Sequence, residues 1–195
     1  MRLFVAVELP ADVKSAASRL IGDLRGRCEP AAPRARISWA AVDRMHLTLQ
    51  FIGEADPPRT QAIEQALAPP FDVPPFEMVF GVTGVFPDPR RPRVIWAGLT
   101  AGAQPLRELQ QQVAARLAAA GVAAEDRPFQ PHLTLARVRE AAGLRAQSVL
   151  EGLSDADLGR VYVVETVLFE SRATAGGQEY VARRRTRLGH GQVRS

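Results

Sequence analysis

His46-Leu47-Thr48-Leu49 and His132-Leu133-Thr134-Leu135 are one tetrapeptide met twice in a chain of 195 residues that holds three histidines. The chain has eight threonines, so two of its three histidines would each have one two places on only about once in two hundred such sequences by chance. A β-strand alternates its side chains between faces, so His and Thr of each copy share one face and the two leucines share the other. Each copy is therefore expected to be a half-buried strand with an apolar anchor below and an imidazole beside a hydroxyl above. Two such strands facing each other across a cleft would set His46, Thr48, His132 and Thr134 around one small anion. Imidazoles titrate near pH 6.5, so the pair can hold opposite protonation states near neutrality, as acid–base phosphoryl transfer requires.

Outward from these strands the two halves of the chain repeat. Arg2-Leu3-Phe4-Val5 and a helix opened by Pro10 and running to about Arg27 precede the first tetrapeptide. Arg93-Val94-Ile95-Trp96 and a helix over Pro105–Ala120, with Leu106, Leu109, Val113 and Leu117 near helical spacing, precede the second. Between these pieces the sequence predicts a loop over 29–36 and a short strand at 37–39. It predicts a helix over 60–67, and strands over 76–86 and 93–99 joined by a turn-rich loop. A short helix over 144–150 and a final hairpin follow, 160–171 and 179–188 around Ala175-Gly176-Gly177. The expected fold is α+β, a single bilobal pseudo-twofold domain over residues 1–188. Two antiparallel sheets flank a cleft lined by the two His strands, helices lie outside, and residues 189–195 form a flexible tail.

Apolar residues make up 46% and charged residues 24% of the chain, as in soluble globular proteins. No apolar stretch approaches the ~20 residues of a membrane-spanning helix, and the short amino-terminal run is no signal peptide. The single Cys28 has no internal disulfide partner, which suits a reducing cytoplasm. No histidine lies near it in sequence, so it reads as an ordinary thiol rather than a nucleophile. A monomer is the default expectation. The net charge of +4 comes almost wholly from arginine, Lys14 being the only lysine, and is weak evidence for a polyanionic partner by itself. Arg90, Arg91 and Arg93 would track an RNA backbone or form a solvated loop. Trp39 and Trp96 would stack on a base, although Trp96 sits in an apolar run and reads as core.

Two H-x-T-x motifs about ninety residues apart in a chain near two hundred resemble the two-histidine, or 2H, phosphoesterase superfamily. Several blocks resemble one branch of it: Arg2-Leu3-Phe4-Val5-Ala6, His46 through Gly53, Phe86-Pro87 through Trp96, and Phe129-Gln130-Pro131 through Arg137. That branch is the RNA 2′,3′-cyclic phosphodiesterases, also called 2′-5′ RNA ligases (LigT-like proteins). The resemblance spans residues 1 to about 188. It implies hydrolysis of an RNA 3′-terminal 2′,3′-cyclic phosphate to a 2′-phosphate, with joining or cleavage of 2′-5′ linkages between tRNA halves as a side activity. It implies no metal and no organic cofactor. By resemblance His46 is the proton donor to the leaving ribose oxygen and His132 the base that activates water. Thr48 and Thr134 would bind the non-bridging oxygens, which gain charge in the transition state. Arg137, five residues after His132, is one residue out of phase on an ideal strand and needs a bulge to reach the phosphate.

Two other function classes compete. A metal hydrolase would use His46 and His132 as ligands, but Asp43, Glu125 and Asp126 form no metal-site pattern with them. A non-catalytic RNA-binding module would need arginine and lysine rather than two titrating imidazoles. Within the superfamily, a small cyclic nucleotide, an ADP-ribose cyclic phosphate or a 2′-5′ oligonucleotide would engage the same residues.

Overall fold

Leu3-Phe4-Val5-Ala6-Val7 is apolar at five successive positions, and all five are buried. A strand covered on both faces loses the polar alternation of a half-exposed one. The computed structural model describes residues 1–125, 127–153, 156–175 and 177–189. His190 and the rest of the expected tail, Gly176 of the last turn and Asp126 lie outside the described residues.

In chain order the elements are β1 (Arg2–Glu8), α1 (Ala11–Ala31), β2 (Arg36–Trp39), β3 (His46–Glu54), α2 (Pro57–Ala66), β4 (Phe76–Asp88) and β5 (Arg91–Ala101). They continue with α3 (Ala103–Ala119), β6 (His132–Glu140), α4 (Ala146–Leu150), β7 (Gly159–Val163), β8 (Glu165–Thr174) and β9 (Gly177–Arg187). One sheet has the order β3-β1-β8-β9 and the other β2-β6-β5-β4-β7, with every pairing antiparallel. The inner trio β3-β1-β8 of the first matches β6-β5-β4 of the second, which is the pseudo-twofold relation expected from the repeat. Each half gives two strands to the other: β2 and β4 lie beside β6 and β5 in the second sheet, and β8 and β9 extend the first sheet from β1. The helices cross as well. Helix α1 follows β1 yet packs on β6 and β7, and α3 follows β5 yet packs on β3.

The tetrapeptide leucines are the pegs of this core. Leu47, Leu49, Leu133 and Leu135 are at most 2% exposed, and burying each contributes ~1.5–3 kcal/mol over leaving it in water. Leu106, Leu109, Val113 and Leu117 of α3 are fully buried, as their spacing predicts. Among the described residues no helix is long and apolar enough to cross a membrane.

Three elements differ from their sequence reading. Helix α1 runs on through Glu29 and Pro30 to Ala31, where a loop was expected. Pro30 falls in the last turn, where it removes little of the helical ladder, and Ala32 N–H still closes the end on the Cys28 carbonyl at 2.9 Å. The turn-rich loop over 87–92 is mostly strand, because β4 and β5 pair as far as Asp88 and Arg91. The run 160–171, read as one strand, is two: β7 belongs to the second sheet and β8 to the first, with Val164 alone between them. An unbroken apolar alternation carries no mark of the sheet each part joins.

Candidate active site

His46 begins β3, and its ring lies against the aromatic cluster on the inner face of the first sheet. Phe4 stacks on it with centroids 4.7 Å apart, and Tyr180 meets it edge-on at 5.1 Å. Phe4, Ala6, Val167 and Phe169 form this small second core, separate from the main one, with Tyr180 packed on it. His132 begins β6 and meets Phe86 edge-on at 5.3 Å, while Phe86 in turn stacks on Trp96 at 5.0 Å. Trp96 is therefore not a core residue, as its apolar run suggested. It pairs across the sheet with Thr134 and so shares that residue's face. The indole lies between two glycines: a Cβ on Gly84 would sit 2.2 Å from its ring and one on Gly98 2.7 Å. Glycine at both positions is what lets the ring lie against the sheet and stack on Phe86, which in turn meets His132.

Both imidazoles are oriented by the same device. His46 Nδ1 lies 2.8 Å from the Arg44 carbonyl and His132 Nδ1 lies 2.7 Å from the Gln130 carbonyl, each two residues back along the chain. A carbonyl only accepts, so Nδ1 carries the hydrogen in each ring and donates it. The lone pair of each neutral ring is thereby fixed on Nε2, where it can take or hold a proton. Burial pulls the His46 ring below the ordinary imidazole range. The bond to the Arg44 carbonyl pulls it part of the way back, and the nearby Lys14 charge pushes it down further.

One cleft of about 790 Å³ is lined by all five residues singled out from the sequence: His46, Thr48, His132, Thr134 and Arg137. Arg137 arrives there through the bulge that its phase demanded. Trp96 pairs with Thr134 and Ile95 with Ala136, so Leu135 is extra on β6 and the strand changes phase. Leu135 and Ala136 both turn inward, and Arg137 then returns to the face of His132 and Thr134. β3 carries the same bulge at Leu49, since Val5 pairs with Gln50 and Ala6 with Thr48. That bulge brings Phe51, the pseudo-twofold counterpart of Arg137, into the cleft wall with 57% of its surface exposed.

The cleft also takes Arg2, Arg44 and Arg139, and among its described lining residues there is no aspartate or glutamate. Its field favours an anion. Glu125, weighed as a metal ligand, instead accepts the Phe51 N–H at 2.9 Å and ties the loop before β6 to the edge of β3. Among the described residues no group of three or more His, Cys, Asp or Glu is placed to hold a metal. Cys28 is buried in the main core, where burial, with Glu29 nearby, pushes its thiol up to about 11, so it is no nucleophile. Trp39 lines the cleft with the Arg25 guanidinium over its ring at 5.6 Å.

Sequence reasoning missed Phe51, Arg139 and Tyr180. Counting five residues from His46, as from His132 to Arg137, would have found Phe51. Nothing in the tetrapeptides points to Tyr180, which comes from β9 at the far end of the chain.

Comparison with known proteins accords with this geometry. Residues 10–174 match the family model described as the 2′-5′ RNA ligase superfamily. A protein of Aeropyrum pernix named RNA 2′,3′-cyclic phosphodiesterase is 36% identical over 139 residues, covering 71% of this chain and 78% of its own. A Methanothermobacter thermautotrophicus protein of the same name is 28% identical over 182 residues, covering 92% and 95%. The crystal structure of Escherichia coli LigT complexed with 3′-AMP superposes with a TM-score of 0.72 at 26% identity, covering 96% of this chain and 97% of that one.

Proposed function

From the chain's membership of the 2′-5′ RNA ligase superfamily, we propose that its cleft hydrolyses the 2′,3′-cyclic phosphate at the 3′ end of an RNA to a 2′-phosphate, using His46 and His132 and no metal. The observation that carries this reading is the doubled imidazole device. Two rings, each held by Nδ1 on a carbonyl two residues back, share one arginine-lined cleft with no carboxylate among its described lining residues. The names borne by the relatives support the substrate class.

His132 Nε2 takes a proton from water as the water oxygen bonds to phosphorus. The P–O3′ bond breaks, and O3′ takes the proton from His46 Nε2–H, leaving the phosphate on O2′. The proton gained by His132 and the one lost by His46 are exchanged with solvent before the next turnover. With an RNA 5′-hydroxyl in place of water, the same transfers form a 2′-5′ linkage. Thr48, Thr134 and the planar fork of Arg137 bind the non-bridging oxygens. Phe51, exposed across the cleft from Arg137, offers a face on which the terminal base stacks. Burial disfavours the charged form of the free His46 ring, and the anionic phosphodiester is what favours that proton-donating form.

The test is turnover of an RNA bearing a 2′,3′-cyclic phosphate by the wild-type protein, His46→Ala and His132→Ala. Each variant is expected to lose nearly all activity. Near-wild-type turnover by either one overturns the assignment.

A further inference from the structure

The cleft does not end at Arg137. Arg139, two residues further along β6, lines both the cleft and a second cavity of about 450 Å³. That cavity is walled by the β4–β5 turn on one side and by residues 141–145 on the other. It takes Arg90, Arg91 and Arg93 from the first wall and Arg145 from the second, so that five arginines surround it. The one acid among its described lining residues, Glu140, is already paired with Arg36 at 3.1 Å. Among the described residues, Arg90, Arg91, Arg93 and Arg139 enter no ion pair.

The groove is built rather than a chance gathering of long side chains. The two walls are joined by a backbone hydrogen bond from Ala146 N–H to the Pro89 carbonyl at 3.0 Å. Arg93 donates to the Arg139 carbonyl at 2.9 Å, and Leu144, 2% exposed, pegs the second wall into the core. Arg90, Arg91, Arg93 and Arg139, held on a fixed frame, repel one another, and a polyanion offsets that repulsion. Arg139 lies seven residues along the strand from His132, about 23 Å at ~3.3 Å per residue. That is beyond the reach of a single nucleotide whose phosphate sits at the histidines.

We infer that the Arg90–Arg145 groove binds the phosphodiester backbone of the nucleotides 5′ to the reacting end, so that the substrate is a single-stranded RNA several nucleotides long rather than a cyclic mononucleotide. The inference rests on the cleft reacting with a cyclic phosphate at all, and the test separates the two claims. Arginine contacts to phosphates release counterions, so each adds to the salt dependence of binding and is blind to base sequence.

Hydrolysis of cytidine 2′,3′-cyclic phosphate and of an eight-nucleotide RNA ending in the same group would be compared for the wild-type protein, for Arg90→Glu/Arg91→Glu and for Arg145→Glu. Wild-type kcat/KM is expected to be at least tenfold higher on the octamer. Each groove variant should lose about tenfold or more on the octamer and keep its mononucleotide rate. Its dependence of log kcat/KM on log salt should flatten by ~0.7 for each RNA phosphate that no longer meets an arginine. The milder Arg90→Gln/Arg91→Gln should fall between. Equal loss on both substrates, or no loss on the octamer, overturns the groove. If wild-type protein turns over neither substrate, the catalytic reading fails instead. Fluorescence anisotropy of the octamer then decides the groove alone, by whether Arg145→Glu weakens binding tenfold or leaves it unchanged.

Discussion

Replacing Gly84 by alanine would put a methyl carbon 2.2 Å from Trp96 Cζ2, 2.6 Å from Cη2 and 2.8 Å from Cε2. Carbon atoms rest ~3.5 Å apart or more, so the indole must retreat by more than ~1 Å. It has little room to do so, because Gly98 already approaches its other edge and Phe86 is stacked on it at 5.0 Å. The displacement therefore passes to Phe86, and from Phe86 to His132, which meets it edge-on at 5.3 Å. Overpacking of this kind costs ~1–3 kcal/mol of stability, or roughly 2–12 °C in Tm for a chain of this size. A catalytic group misplaced by ~1 Å costs about 100-fold in rate. Gly84→Ala is thus expected to lower kcat on an RNA with a cyclic phosphate by about two orders of magnitude, with a folded circular-dichroism spectrum and a reduced Tm. Adding Trp96→Phe, which removes the outer carbons of the clash, should return part of the Tm, so the double variant is more stable than the two single losses sum to. Wild-type kcat and Tm in Gly84→Ala would refute the chain of contacts from Gly84 to His132.

Burial holds the His46 ring below its ordinary value and the Lys14 charge adds to that, so Lys14→Gln raises it. If His46 is the donor, the rate rises on the alkaline side of the pH profile and is unchanged on the acid side. If His46 is instead the base, the acid side falls and the alkaline side stays put. Arg137→Ala should lower kcat/KM about 10- to 100-fold, the worth of a charge-assisted hydrogen bond of ~1.5–3 kcal/mol. Phe51→Ala should raise KM with kcat nearly intact; an unchanged KM would remove Phe51 from base contact. Gly22→Ala and Gly26→Ala, on the exposed side of α1 with open space around each Cβ, should each stabilise by ~1 kcal/mol in urea unfolding without touching activity.

The alternation of His-Leu-Thr-Leu was enough to read two strands, their buried faces and the four side chains of the cleft. That pattern is local and has a period of two, so it survives without knowledge of any partner strand. Arg137 was legible only as a condition, a bulge that had to exist. The bulge is a property of how β6 pairs with β5, and the residues within β6 do not specify it. Phe51 and Arg139 stayed hidden for the same reason, since their face is decided after the bulge. Val164 shows a second limit. The apolar run on either side of it reads as one strand, and only the competition between two sheets for its neighbours divides it. Trp96 misled because an apolar residue in an apolar run is usually core. Here Gly84 and Gly98 clear a place for it on the polar face of the sheet.

The central claim is a two-histidine opening of a cyclic phosphate toward the 2′ position without a metal. It is tested most directly by incubating the purified protein, in excess EDTA, with a short RNA ending in a 2′,3′-cyclic phosphate and resolving the product against 2′- and 3′-phosphate standards. The account predicts a 2′-phosphate from the wild-type protein and unreacted RNA from His46→Ala and His132→Ala. A 3′-phosphate, turnover abolished by EDTA, or an active histidine variant would contradict it.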